Sequence, residues 1–218
     1  MSRLKIYLPV FAAFLVCSAG WFTSAQAQQD DMTQLLFKFV QSDGYLSSLS
    51  KTVPAAEPPP LRATCSTMIV IDANSISLIE PPTFSKVGTE MRIEGGAWIS
   101  TVKVDRCGET VTRRFLVHAN DGDLDYTPLL PGDFHGDLTL ERDAKKLILP
   151  GLMNAAKCTD MAKVFVLNVH NLSPVTPTGW SESWTASTCG TLTKANIKYV
   201  IGGGEVTISG SDFGVQGK

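Results

Sequence analysis

One stretch of this 218-residue chain has the residue types and spacing for chemistry: Trp180-Ser181-Glu182-Ser183-Trp184. Side chains alternate along an extended backbone, so both tryptophans and Glu182 share a face. A dry carboxyl between two large aromatics holds its proton more tightly, which is the environment of a general acid. Two tryptophans beside a carboxylate also suit a sugar or a cationic ligand. A structural reading competes with both. Aromatic residues dominate cores, and Glu182 would then pair inside with an arginine or a backbone group. Arg142, upstream, is a candidate for that ion pair. Trp180, Glu182 and Trp184 are the candidate binding residues, and no residue is assigned as catalytic.

Other chemical signals are weaker. Asp121-Gly122-Asp123-Leu124-Asp125 begins like a calcium loop, but Tyr126 stands where the glycine belongs and Gly132 where the closing glutamate belongs. A solvated acidic turn is expected there. His118, His135 and His170 are scattered. Gly179-Trp180-Ser181-Glu182-Ser183 breaks the Gly-x-Ser-x-Gly elbow at its last position. Gly202-Gly203-Gly204 follows a strand without opening a helix and reads as a hairpin turn. No metal site and no cofactor is expected.

What must position these residues is a segment written twice. Ala63-Thr64-Cys65-Ser66-Thr67-Met68 is echoed by Ala156-Lys157-Cys158-Thr159-Asp160-Met161. Trp98 precedes Cys107-Gly108 by the same spacing as Trp180 precedes Cys189-Gly190. In each unit a Val/Ile-rich first strand follows the first cysteine, Met68–Ile79 and Met161–His170. A second strand ends at the second cysteine, Trp98–Arg106 and Trp180–Thr188. A third begins after the glycine, Glu109–His118 and Thr191–Ile201. A two-residue Cys-Gly turn, with glycine supplying positive φ, sets Trp98 opposite Val117, Ser100 opposite Phe115 and Val104 opposite Val111. It also sets Trp180 opposite Tyr199, Glu182 opposite Ile197 and Trp184 opposite Ala195. One face is then mainly apolar in both units, and a one-residue slip would mix the faces. Val102 opposite Arg113 is the poorest pair. The first cysteine starts strand one and the second ends strand two, so Cys65–Cys107 and Cys158–Cys189 are the expected disulfides. No Cys-x-x-Cys occurs, which leaves neither a thioredoxin pattern nor paired zinc ligands.

Helices should cover the sheets. Met32, Leu35, Leu36, Phe39 and Val40 form one stripe, with Asp30 or Asp31 as cap and Gly44 as stop. Leu140, Ala144, Leu147 and Ile148 form another, with Asp137 or Thr139 as cap and Pro150-Gly151 as kink or stop. Val53–Pro60 reads as an extended proline linker.

Residues 1–27 read as a secretory signal peptide: Arg3 and Lys5, an apolar run that includes Cys17, then Ala25-Gln26-Ala27. No later stretch is apolar enough to span a membrane. The full chain carries 19 basic and 21 acidic residues; without Arg3 and Lys5 the net charge falls from −2 to −4. That mild acidity disfavours nucleic acid as a partner. The divisions are 1–27 signal, 28–60 helix and linker, 61–136 first repeat and 137–218 second repeat.

Gly179-Trp180-x-Glu182-x-Trp184 with Cys189-Gly190, preceded by Leu140-Glu141-Arg142-Asp143-Ala144, resembles a group of uncharacterised exported proteobacterial proteins with a Trp-x-Glu-x-Trp…Cys-Gly hairpin and an Arg-Asp-Ala helix. The likeness covers residues 137–209 and is faint in the first unit. It implies a Gram-negative, periplasmic or secreted protein, and it favours Arg142–Glu182 as a structural ion pair.

The expected fold is α+β: two repeated antiparallel sheets, each pinned by a disulfide and covered by a helix. The expected function is non-enzymatic binding or scaffolding of an envelope protein or ligand, through an open sheet edge. One alternative is an envelope-glycan hydrolase with Glu182 as acid, which needs Glu182 in a cleft. The other is a carrier of a small apolar ligand.

Overall fold

The computed structural model describes residues 32–65, 67–87 and 90–217. Residues 1–27, read from sequence as a signal peptide, and the cap candidates Asp30 and Asp31 lie outside them. Two four-stranded antiparallel meanders follow one another along the chain. The first contains β1 (Met68–Val87), β2 (Glu90–Arg106), β3 (Glu109–Asn120) and β4 (Asp123–Pro128). The second contains β5 (Val164–Asn171), β6 (Gly179–Thr188), β7 (Thr191–Gly202) and β8 (Glu205–Val215). Helix α1 (32–40), α2 (Asp43–Ala56) and α3 (Pro59–Thr64) precede the first sheet, and α4 (Leu138–Ala156) precedes the second. Each sheet therefore has a fourth strand beyond the three read from sequence. The two are reached by turns at Asp121-Gly122 and Gly203-Gly204.

The expected register is the observed one. Trp98 lies opposite Val117 and Ser100 opposite Phe115; Trp180 lies opposite Tyr199 and Glu182 opposite Ile197. The two Cys-Gly turns match closely. Cys107 and Cys189 have φ of 50° and 51°, and the glycines after them 88° and 79°. Two positive φ values in a row make the tight hairpin turn whose twist suits the strands. In both units a bulge follows the third residue of the first strand, between Val70 and Asp72 and between Val166 and Asn168. Disulfides join Cys65 to Cys107 and Cys158 to Cys189. The duplication thus extends to irregularities that apolar patterning does not encode.

The buried apolar residues form two clusters. Leu36, Val40, Tyr45, Leu49 and Val53 of α1 and α2 pack on Trp98, Val102, Phe115 and Val117. Ala144, Ile148 and Leu152 of α4 pack on Trp184, Ala186, Ala195 and Ile197.

Two helical expectations fail, and of the kink or stop expected at Pro150-Gly151 the stop does not occur. The Val53–Pro60 segment is not an extended linker: α2 runs to Ala56 with Pro54 inside it, and α3 starts at Pro59. Val53 is buried in the core, and that burial outweighs the local cost of a proline near a helix end. Gly44 does not end a helix. The break falls at Gln41-Ser42, where Ser42 caps α2 by accepting from the Tyr45 amide at 3.3 Å. Pro150-Gly151 does not end α4, which continues to Ala156 and buries Leu152 beyond the proline. Gly151 is needed there because the Phe213 ring sits directly where its side chain would start.

Arg113, the misfit of the apolar face, has a partner the sequence reading missed. Its Nε donates to Glu57 Oε2 at 2.7 Å, and its Nη2 to Glu57 Oε1. Glu57 also accepts from Arg106 at 3.2 Å. Glu57 is 2 % exposed and Arg113 7 %. Breaking a buried pair from one side leaves a charge uncompensated, at a cost of about 3–5 kcal/mol. Urea unfolding of Glu57→Ala should show that loss, while the double variant Glu57→Met with Arg113→Leu should recover most of it. Equal losses in both would mean that packing, not charge, governs the site.

Candidate functional site

Glu182 sits on the inner face of β6, 0 % exposed. The alternation that places Trp180 and Trp184 on its face also lets both indoles turn their N–H groups toward it. Trp180 Nε1 donates to Oε1 at 2.8 Å and Trp184 Nε1 to Oε2 at 3.0 Å. Tyr199, across on β7, donates its hydroxyl to Oε2 at 3.1 Å. The His135 amide, in the loop before α4, donates to Oε1 at 3.2 Å. These donors number as many as the lone-pair sites of an ionised carboxylate. Burial, and then the adjacent Glu182 carboxylate, raises the Tyr199 phenol well above its ordinary value, so it stays a donor at physiological pH. The rings are also stacked and braced: Trp180 lies on Tyr199 at 4.4 Å and 13°, and Phe134 meets Trp184 edge-on at 6.4 Å.

The Arg142–Glu182 pair does not form. Arg142 is solvent-exposed, with Nε 3.3 Å from Asp143 Oδ1. The preceding residue, Glu141, faces inward instead. It accepts from the Leu130 amide at 2.8 Å, from Lys145 at 2.6 Å and from Arg114 at 3.2 Å. Arg114 belongs to β3 of the first unit, and its guanidinium carbon lies 5.2 Å from the centre of the Phe134 ring. Burial lowers its pKa, while Glu141 and then Glu182 work in the opposite direction. The buried cation facing Glu182 thus comes from the other repeat. It joins the two units through Glu141 and Phe134. Alternation puts Arg114 on the face of β3 opposite that of Phe115 and Val117, and α4 and the loop before it cover it there.

The binding residues named from sequence are therefore brought together and enclosed. Trp184 is 0 % and Trp180 8 % exposed, so Trp184 offers no surface to a sugar or a cation. Glu182 lines no cleft, which removes the condition set for a glycan hydrolase. Tyr199 was legible as the cross-strand neighbour of Trp180. The His135 amide carried no sequence signal.

Two other features face solvent. The first is the outer side of β1, which among the described residues pairs with β2 alone as a strand; it is the outermost strand of the first sheet and, at 20 residues, its longest. Ile69 and Ile71 are 60 % and 56 % exposed, and Leu78 and Ile79 are exposed too. By contrast, the chain after β4 continues alongside β3, the Leu129 and Gly132 amides donating to Arg114 and Thr112, and then reaches β5, the Asp133 amide donating to the Val169 carbonyl. That inner junction is stitched shut. The second is a groove of about 430 Å³ between the end of β4 and α4.

Comparison with protein-family models, with curated proteins and with solved structures found no match.

Proposed function

We propose that the protein is an exported, non-enzymatic binding module of the Gram-negative envelope, and that it holds a partner by adding an extended segment of that partner to the free edge of β1. The supporting observation is β1 itself. It is long, it is outermost, and it carries exposed isoleucines at Ile69, Ile71 and Ile79. Unpaired strand edges recruit other strands through main-chain hydrogen bonds, with alternate side chains supplying selectivity. Two disulfides suit an oxidising compartment, and among the described residues no helix is long and apolar enough to cross a membrane. The enclosure of Glu182 supports a structural role for the Trp-x-Glu-x-Trp motif.

Phage-displayed 15-residue peptides selected on the mature protein should converge on alternating apolar sequences. A selected peptide should slow amide hydrogen exchange in β1. The double variant Ile69→Lys with Ile71→Lys should abolish its binding while shifting stability by no more than about 0.5 kcal/mol, as surface changes do. Protection confined to other strands, or binding that survives both lysines, refutes the edge. A concentration-dependent dimer lost in the double variant would reassign the edge to a second copy of the chain.

A further inference from the structure

Leu138, Glu141, Arg142, Lys145, Lys146 and Leu149 line the groove between β4 and α4. They fall at i, i+3, i+4, i+7, i+8 and i+11, a single stripe along α4. This stripe adjoins the one of Ala144, Ile148 and Leu152 that packs on the second sheet. The groove wall opposite is the end of β4 and the residue after it, Thr127, Pro128 and Leu129, with Met161 completing the lining. Its length along the helix, from Leu138 to Leu149, is about 16 Å at 1.5 Å per residue. Its volume, about 430 Å³, lies in the range of small-ligand sites.

Two properties combine here. The lining is apolar at Pro128, Leu129, Leu138, Leu149 and Met161. Its charged rim is basic: Arg142, Lys145 and Lys146. Their acidic neighbours are Glu141 and Asp143, and Glu141 is shared with Arg114. Asp143 meets Arg142 at 3.3 Å and Lys146 at 3.8 Å. Four cations around three carboxylates, Glu182 beside Arg114 being the third, leave one excess positive charge, on a chain whose net charge is −2. A neutral or cationic ligand would gain nothing from that excess, and a polar anion would leave the apolar lining uncovered.

We infer that this groove binds one molecule of a single-chain anionic amphiphile, with its alkyl chain along the α4 stripe and its acidic head at Arg142 and Lys146. The inference is independent of the β1 edge, which lies on another strand and uses other residues. The head is a carboxylate or a phosphate, and both are met by the same bases.

The test is isothermal titration of the mature protein with monomeric dodecanoate, lauroyl lysophosphatidate and dodecyltrimethylammonium, each below its critical micelle concentration. Both anions should bind at one per chain, and the tighter of the two identifies the head group. The cation should bind at least roughly tenfold more weakly, and added salt should narrow the difference. The double variant Arg142→Glu with Lys146→Glu should weaken anion binding roughly tenfold or more, a change of about one decade in Kd. Both side chains are exposed, so thermal unfolding should hardly move. Met161→Asn, at a residue 50 % exposed, should weaken the anions through the chain contact alone, because it adds no charge. Equal affinity for the cation, several amphiphiles per chain, or affinity unchanged in the charge-reversed variant would overturn the site. So would binding only to anionic vesicles and not to monomeric amphiphile.

Discussion

Replacing Glu182 by leucine should leave the second unit unable to reach its native state. The change strands four donors in a dry interior: the two indole N–H groups, the Tyr199 hydroxyl and the His135 amide. A buried donor without a partner costs about 1–3 kcal/mol, so the sum is roughly 4–12 kcal/mol against a typical domain stability of about 5–15 kcal/mol. Glu182→Gln should be milder. Its amide oxygen can still accept from two donors, and the Tyr199 hydroxyl can rotate to accept from the new amide. One indole N–H is then left facing an N–H group, for a loss of about 1–3 kcal/mol. Urea unfolding followed by tryptophan fluorescence and near-ultraviolet circular dichroism would resolve the two variants. A leucine variant with native spectra and a transition midpoint close to wild type would show that the cage contributes no stability. A glutamine variant that keeps full stability but loses a measurable activity would revive the acid role for Glu182.

Loss of both disulfides should be comparably damaging. The bridged cysteines are 42 and 31 residues apart, and loops of that length give about 4 kcal/mol each by the chain-entropy estimate. Together that is about 8 kcal/mol, most of a typical stability. Cys65→Ser with Cys107→Ser should lower the guanidinium midpoint, and Cys158→Ser with Cys189→Ser should lower it by a similar amount. The fourfold variant should yield no folded protein, nor should wild type produced in a reducing compartment. The repeat makes the comparison informative. Both bridges span a first and a second strand beside a Cys-Gly turn, so very unequal losses would mean that the two units differ in residual unfolded structure and not in chain entropy.

Much of the fold was readable from residue order, and the reasons are local. A strand has period two, so one slip in register exchanges its buried and exposed faces. Placing Trp98 opposite Val117, or Glu182 opposite Ile197, therefore had few competitors. The Cys-Gly turns anchored the register and the disulfides followed from it. Duplication checked each inference against a second copy.

What tertiary structure decided was the phase of helices and the partners of charges. Neighbouring residues on a helix differ by about 100°, so Glu141 and Arg142 both sat near the edge of the apolar stripe. Packing of α4 between the second sheet and Arg114 turned Glu141 inward and left Arg142 in solvent. Proline penalties are local too, and the core burial of Val53 and Leu152 overrode them at Pro54 and Pro150. The chain alone specified which strands pair and in what register, because those preferences repeat along the backbone. Only the folded molecule determined that Glu57 neutralises Arg113 and that Glu182 is held by indoles, a phenol and an amide, because such contacts join residues distant in sequence and depend on how whole elements seat against one another.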